Sequence, residues 1–217
     1  PMTVTLTDSV TALELKALIE SYNAVPNLAE GAAQGTIGDI TATVSDTTMA
    51  KLGVIPASVT STGGGGSTEA VTGAYSITIS DDEIVAADLN ALDALTTTAI
   101  TISATTPTIT GTLTTGATDA VNKALASSGI TGASALNVKA DAGTYTIAQA
   151  NYASALTTGV ITATIASSTL TALAALNETG NAYTIDVSDT GTVDAAALNV
   201  LNNKTTGIVS INATKVT

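Results

Sequence analysis

Cysteine, histidine, arginine, phenylalanine and tryptophan are all missing from this chain of 217 residues. Each absence removes a class of function. Without cysteine there is no disulfide framework and no thiolate chemistry. Without histidine or cysteine the common general bases and thiol nucleophiles are gone. No spacing of serine, lysine or carboxylate proposes a substitute, so the chain is not expected to be an enzyme. Lysine and arginine together number 6 against 18 acidic residues, a net charge of −12. Nucleic acid is therefore not an expected partner, because neutralising phosphates needs clustered cations. No apolar run approaches the roughly 20 residues that span a membrane. The only aromatics are Tyr22, Tyr75, Tyr145, Tyr152 and Tyr183, so the core cannot lean on large rings for buried area.

What is present is small and repetitive. Threonine occurs 43 times and alanine 39 times. Such a chain must bury many small groups in a thin, regular layer, which favours a solenoid over a compact globule. The apolar fraction of 45% argues against disorder. One phrase organises the rest: Ala195 to Leu201, then Asn202-Asn203-Lys204-Thr205-Thr206-Gly207, then Ile208-Val209-Ser210-Ile211. Apolar residues at helical spacing predict a short helix. Gly207 is expected to supply a left-handed helix stop. Val209 and Ile211 alternate with polar residues, as in a half-buried strand. A close copy is Ala86 to Ile100 and a weaker one Ala148 to Val160. Repetition is the strongest signal in the chain.

Strand starts fall near residues 3, 41, 76, 100, 137, 160, 183 and 208. A basic unit of about 24 residues, lengthened in some copies, lies in the leucine-rich-repeat size range. Each unit reads as one strand and one helical return. The expected fold is thus an α/β or β-rich solenoid of parallel stacked strands with short helical returns. The array is expected to cover residues 1–217, with sub-arrays 1–60 and 75–217 and a glycine-rich insertion at 61–67. That insertion lacks the Lys-Ser/Thr of a phosphate-binding loop. A short run at Thr108 to Thr112 reads as an extra edge strand. The competing fold is a β-sandwich, suggested by the many Thr-rich strands.

The phrases Ser188-Asp189, Ala197-Leu198-Asn199-Val200-Leu201, Thr205-Thr206-Gly207 and Ile161-Thr162-Ala163-Thr164-Ile165 resemble the degenerate repeats of giant bacterial surface and secreted proteins. Cyanobacterial examples, adhesin-like or calcium-binding, are among these. The resemblance implies an extracellular or cell-surface structural module of a surface layer, adhesin stalk or filament. Proteins of this kind often carry Gly-Gly-x-Gly-x-Asp calcium nonapeptides, and this sequence has none.

Two features suggest ligands. Acidic residues cluster where strands end, and Asp81, Asp82 and Asp189 are the candidate calcium ligands, since hard cations take carboxylate oxygens on turns. The competing explanation is that these residues cap helix N-termini. No other cofactor is expected. Thr-x-Thr recurs at Thr41/Thr43, Thr108/Thr110/Thr112 and Thr162/Thr164, projecting threonines from one strand face. A flat threonine array makes ice or glycan binding the alternative function, although Lys139 and Asp186 interrupt it. Three Asn-x-Thr triplets, at Asn177, Asn203 and Asn212, are accounted for by the threonine content.

Inward positions are expected at Leu89, Leu92, Leu198, Leu201, Ile185 and Val187. The first strand, Thr3 to Thr7, and the last, Val209 to Thr214, lack proline and charge, so both present unprotected edges. Neighbouring repeats or identical subunits stacked head to tail are expected to cover them. Ser210 is expected to point outward while its backbone pairs with whatever follows.

Overall fold

A computed structural model describes residues 4–23, 40–60, 68–70 and 73–217. The glycine-rich stretch 61–67 lies outside the described residues. Seven α-helices occur among them: α1 (Ala12–Asn23), α2 (Met49–Leu52), α3 (Ala86–Asp93), α4 (Ala120–Leu125), α5 (Ile147–Ser154), α6 (Leu170–Leu173) and α7 (Ala195–Asn202). The chain divides into two compact units. The first comprises Pro1–Ile84, Asp88–Thr105 and Ser128–Gly132; the second comprises Val85–Ala87, Thr106–Ser127 and Ala133–Thr217.

In the first unit, Val4–Thr5, Ile40–Thr43 and Ala74–Ser76 pair in that order, with Val4 opposite Ile40 and Thr41 opposite Ala74. Thr78–Ile79, Ile100–Ile102 and Ile130–Thr131 form a second set, with Thr78 opposite Thr101 and Ile100 opposite Ile130. In the second unit, Thr108–Gly111, Asn137–Ala140, Ile161–Thr164, Ala182–Val187 and Val209–Ile211 pair successively. Every one of these pairings is parallel. Ser58–Thr60 and Thr68–Ala70 pair antiparallel. The protein is a mixed α/β structure with several parallel sheets and short helices. The β-sandwich is overturned, because a sandwich is built from antiparallel strands.

Local sequence explains the elements. Ile161, Ala163 and Ile165 are buried while Thr162 and Thr164 are exposed, the period-two pattern of a strand with one covered face. Tyr183, Ile185 and Val187 repeat it. Helix starts are capped by short polar side chains. Asp194 accepts from the N–H groups of Ala196 and Ala197 at the start of α7. Thr146 and Gln149 form a reciprocal capping box on α5. At α1 the cap is Thr11, whose hydroxyl accepts from Glu14 N–H at 3.2 Å while Glu14 accepts from Thr11 N–H at 2.8 Å.

Three expectations need correction. Thr108–Gly111 is no spare edge: it pairs along its whole length with Asn137–Ala140. Ile100–Ile102 instead pairs with Ile130–Thr131, a two-residue strand too short to show a period in sequence. Gly207 is not a left-handed stop. Helix α7 ends on Asn203 in the right-handed region, and Gly207 is not among the positive-φ glycines. A Cβ there would fall far inside contact distance of the Tyr183 carbonyl, so glycine is required by close approach of the neighbouring strand.

The core positions follow the expected faces with one exception. Leu89, Leu92, Ile185, Val187 and Leu201 are buried. Leu198 is only half-buried, although Leu89, its counterpart in the repeated phrase, is fully covered. Val209 and Ile211 are likewise half-buried, whereas their register partners Ile185 and Val187 are fully covered.

Candidate functional site

The polar chemistry of this protein is spent on joining successive segments. In the second unit, the Thr205 hydroxyl accepts from Tyr183 N–H at 2.8 Å and from Gly207 N–H at 2.9 Å. It faces the carbonyls of Tyr183 at 2.8 Å and Asn181 at 3.1 Å. Thr206 N–H donates to Asn181 C=O at 2.8 Å. The same device recurs one copy earlier. The Thr157 hydroxyl donates to Leu136 C=O at 2.7 Å, Gly159 N–H donates to that hydroxyl, and Thr158 N–H donates to Ser134 C=O. In the first unit, Thr96 bridges the N–H and C=O of Tyr75 at 2.9 and 2.8 Å. A threonine hydroxyl both donates and accepts. Thr96 and Thr205 therefore each satisfy both backbone groups of one strand residue.

Aspartates form a second device. Asp46 accepts from Ala12 N–H at 2.9 Å, Asp81 from Met49 N–H at 2.7 Å and Asp189 from Leu170 N–H at 2.6 Å. These donors are the first residues of α1, α2 and α6. In each case a Ser-Asp pair following a strand caps the helix of an earlier segment. The Ala12 N–H, with Lys51 adding a smaller effect, holds the Asp46 carboxyl below the usual carboxylate range. At the other end of α6, Lys204 Nζ bonds the carbonyls of Ala174 and Leu176, and Asn151 donates to Ala175 C=O at 2.8 Å. Both ends of this short helix are thus satisfied from neighbouring segments.

The candidate calcium ligands fall in two different units. Asp81 and Asp82 lie in the first unit and Asp189 in the second. Asp81 and Asp189 are engaged as caps, and Asp82 is exposed. Among the described residues, no group of three or more His, Cys, Asp or Glu is placed to hold a metal ion. The capping signal was legible in each Ser-Asp phrase; its partner helix was not.

Tyr75, Tyr145 and Tyr183 are buried in the core. Burial pushes the Tyr183 hydroxyl up to about 12, against a hydrogen bond from Ser154 that lowers it. Tyr145 donates to Asp141 C=O at 3.1 Å. Tyr75 is fully buried and its hydroxyl finds no partner among the described residues.

Two apolar grooves lie between helices. One of about 570 Å³ is lined by α2 and α3, with Asp88 its one titratable lining residue. One of about 400 Å³ lies between α6 and α7, and its acids Asp189 and Asp194 are both caps. Neither assembles an acid, a base and a nucleophile. Among the described residues no helix is long and apolar enough to cross a membrane.

The outward threonines form rows of limited length. Thr78, Thr101 and Thr131 share one register across three strands. In the second unit the row runs Thr110, Lys139, Thr162, Ala182, so threonine does not persist.

Two edges complete the picture. Among the described residues, Val4–Thr5 and Val209–Ile211 are each outermost in their sheets. Around the second, a notch of about 180 Å³ is lined by Leu198, Asn199, Asn202, Val209 and Ile211. Val200 and Ile208 stand 56% and 69% exposed beside it. The expected role of Ser210 is corrected here. Ile185, opposite Val209, donates its N–H to Ile208 C=O at 2.8 Å. In a parallel ladder the carbonyl of Ile185 then takes the Ser210 N–H. Ser210 is thus paired inward, and Val209 and Ile211 carry the backbone groups that face the open side.

No protein-family model, no curated protein and no solved structure matches this chain.

Proposed function

We propose that the chain is a structural repeat module, its strand–helix segments forming the turns of a solenoid, in an extracellular surface-layer, adhesin-stalk or filament protein. The observation that carries this reading is the division of polar labour. Thr96, Thr157 and Thr205 bond the backbone of an earlier strand, and Asp46, Asp81 and Asp189 cap an earlier helix. These groups join segments instead of converging on a ligand, which is what a load-carrying or spacing element needs. Its stability is then a sum of nearest-neighbour terms. The absence of cysteine and the acidic balance suit an exposed, soluble surface. Immunogold labelling of intact cells of the source organism with antibody to this chain tests the reading. Label over the envelope or extracellular appendages is the expected result; label confined to the cytosol overturns it.

The row Thr78, Thr101, Thr131 favours a second reading, binding of ice or glycan through threonine. Thermal hysteresis or glycan capture abolished by Thr101→Lys would establish it over the first.

A further inference from the structure

The two edges of this chain are complementary to each other. Leu6 N–H donates to Thr41 C=O at 2.9 Å, with Thr41 opposite Thr5. Parallel pairing alternates the side to which successive residues send their backbone groups. The N–H and C=O of Thr5 therefore point away from Ile40–Thr43, towards the open side. At the other edge the open-side groups belong to Val209 and Ile211, as derived above. Interior junctions have this same arrangement: inward-facing residues on the strand that comes earlier in sequence, outward-facing residues on the one that follows. Ile185 with Ile208 and Ser210 is the example.

From this we infer that the Val209–Ile211 edge is occupied by the Val4–Thr5 edge of a second copy of this chain, in parallel, with Val209 opposite Val4 and Ile211 opposite Leu6. The inference rests on the structural-module reading and names its partner. In this register Ile211 N–H donates to Thr5 C=O and Thr5 N–H donates to Val209 C=O. All four inward side chains are half-buried in the single chain, and they meet one another across the junction. Burying that apolar surface supplies the driving force.

Charge supports the same pairing. Residues 195–217 carry Lys204 and Lys215 and no acid, in a chain whose net charge is −12. Residues 4–23 carry Asp8, Glu14 and Glu20 against Lys16. Lys204 is bonded to the Ala174 and Leu176 carbonyls and Asp194 caps α7, so the exposed Lys215 is the cation left to meet the acids of the first segment. Because each copy carries one edge of each kind, the contact is heterologous. It continues until it closes a ring or extends as a filament.

The absence of cysteine makes the register directly testable. In the inferred pairing Thr5 of one copy lies opposite Ser210 of the next, and both are exposed in the single chain. Neighbouring strands are about 4.8 Å apart, within the Cα separation a disulfide spans. A mixture of the Thr5→Cys and Ser210→Cys proteins should give a mixed disulfide dimer under mild oxidation. The double variant should give a ladder of higher species. Thr5→Cys mixed with Thr158→Cys, an exposed position away from the edge, is the control. Unsubstituted protein in sedimentation should grow in mass with concentration and shrink again at high ionic strength. Cross-linking no greater than the control, or disulfides only between two Ser210→Cys chains, overturns the inference. So does an unsubstituted protein that stays monomeric at every concentration. Cross-links in a protein labelled only in the cytosol would leave the pairing standing and remove the surface role. Envelope label without cross-links would do the reverse.

Discussion

The hydroxyl of Thr205 lies 2.8 Å from both the N–H nitrogen and the carbonyl oxygen of Tyr183, residues 22 apart in sequence. Thr205 is buried, so both backbone groups depend on this one side chain. Thr205→Val keeps the shape and removes the hydroxyl, leaving them unsatisfied. It should destabilise by about 1–3 kcal/mol. Thr205→Ser should recover most of the loss. Urea unfolding of the three proteins checks this, and equal midpoints for Val and Thr would show that the bond contributes nothing.

Gly207 sits against the Tyr183 carbonyl with no room for a Cβ. The obstruction is backbone, so the two strands would have to separate. Gly207→Ala should cost about 1–3 kcal/mol as an overpacking change. Calorimetry should show a lowered Tm. An unchanged Tm would mean that the strand shifts without penalty.

The buried tyrosines make a paired test. Tyr75→Phe removes a hydroxyl that has no partner among the described residues and should be neutral or stabilising. Tyr183→Phe removes a hydroxyl bonded to Ser154 and should destabilise by about 1 kcal/mol. The two midpoints should therefore move apart; a larger loss from Tyr75→Phe would contradict the geometry.

Asp46 and Glu14 are both held below their ordinary values, chiefly by the N–H groups of Ala12 and Thr11. A carboxyl lowered in the folded state adds stability above its unfolded value and loses it as pH falls through the folded one. Midpoints should be level from neutral pH down to about 5 and then fall below about 4, where unfolded aspartate takes up protons. Asp46→Asn should flatten part of that fall without changing the neutral plateau's shape. An identical acid limb in the variant would remove Asp46 from the effect.

The core positions separate what one copy buries from what an open edge leaves bare. Leu201 is 1% exposed and Leu198 half-buried. Leu201→Ala should cost about 2–5 kcal/mol, and Leu198→Ala clearly less in the isolated chain. Equal losses in dilute solution would show that Leu198 is covered after all.

Local order was legible in the chain itself. The alternation of Ile161, Thr162, Ala163 and Thr164 specifies a strand with one buried face wherever that strand is placed. Thr146 with Gln149 specifies a helix start, because the capping bonds close within one turn. The repeated phrase announced parallel segments. The capping role of Asp81 and Asp189 was also open to view as a type, since short acidic side chains suit helix starts. Tertiary structure alone decided which groups meet. Asp189 caps a helix 19 residues earlier and Asp46 one 34 residues earlier, and unequal segment lengths hide that correspondence from any fixed period. Gly207 looked like a helix stop, because a left-handed turn and a close strand approach both select a residue without Cβ. Whether Leu198 is covered, and whether Val209 or Ser210 faces the open side, depends on register and on the neighbouring strand. A one-residue shift exchanges the two faces, and only the paired backbones settle it.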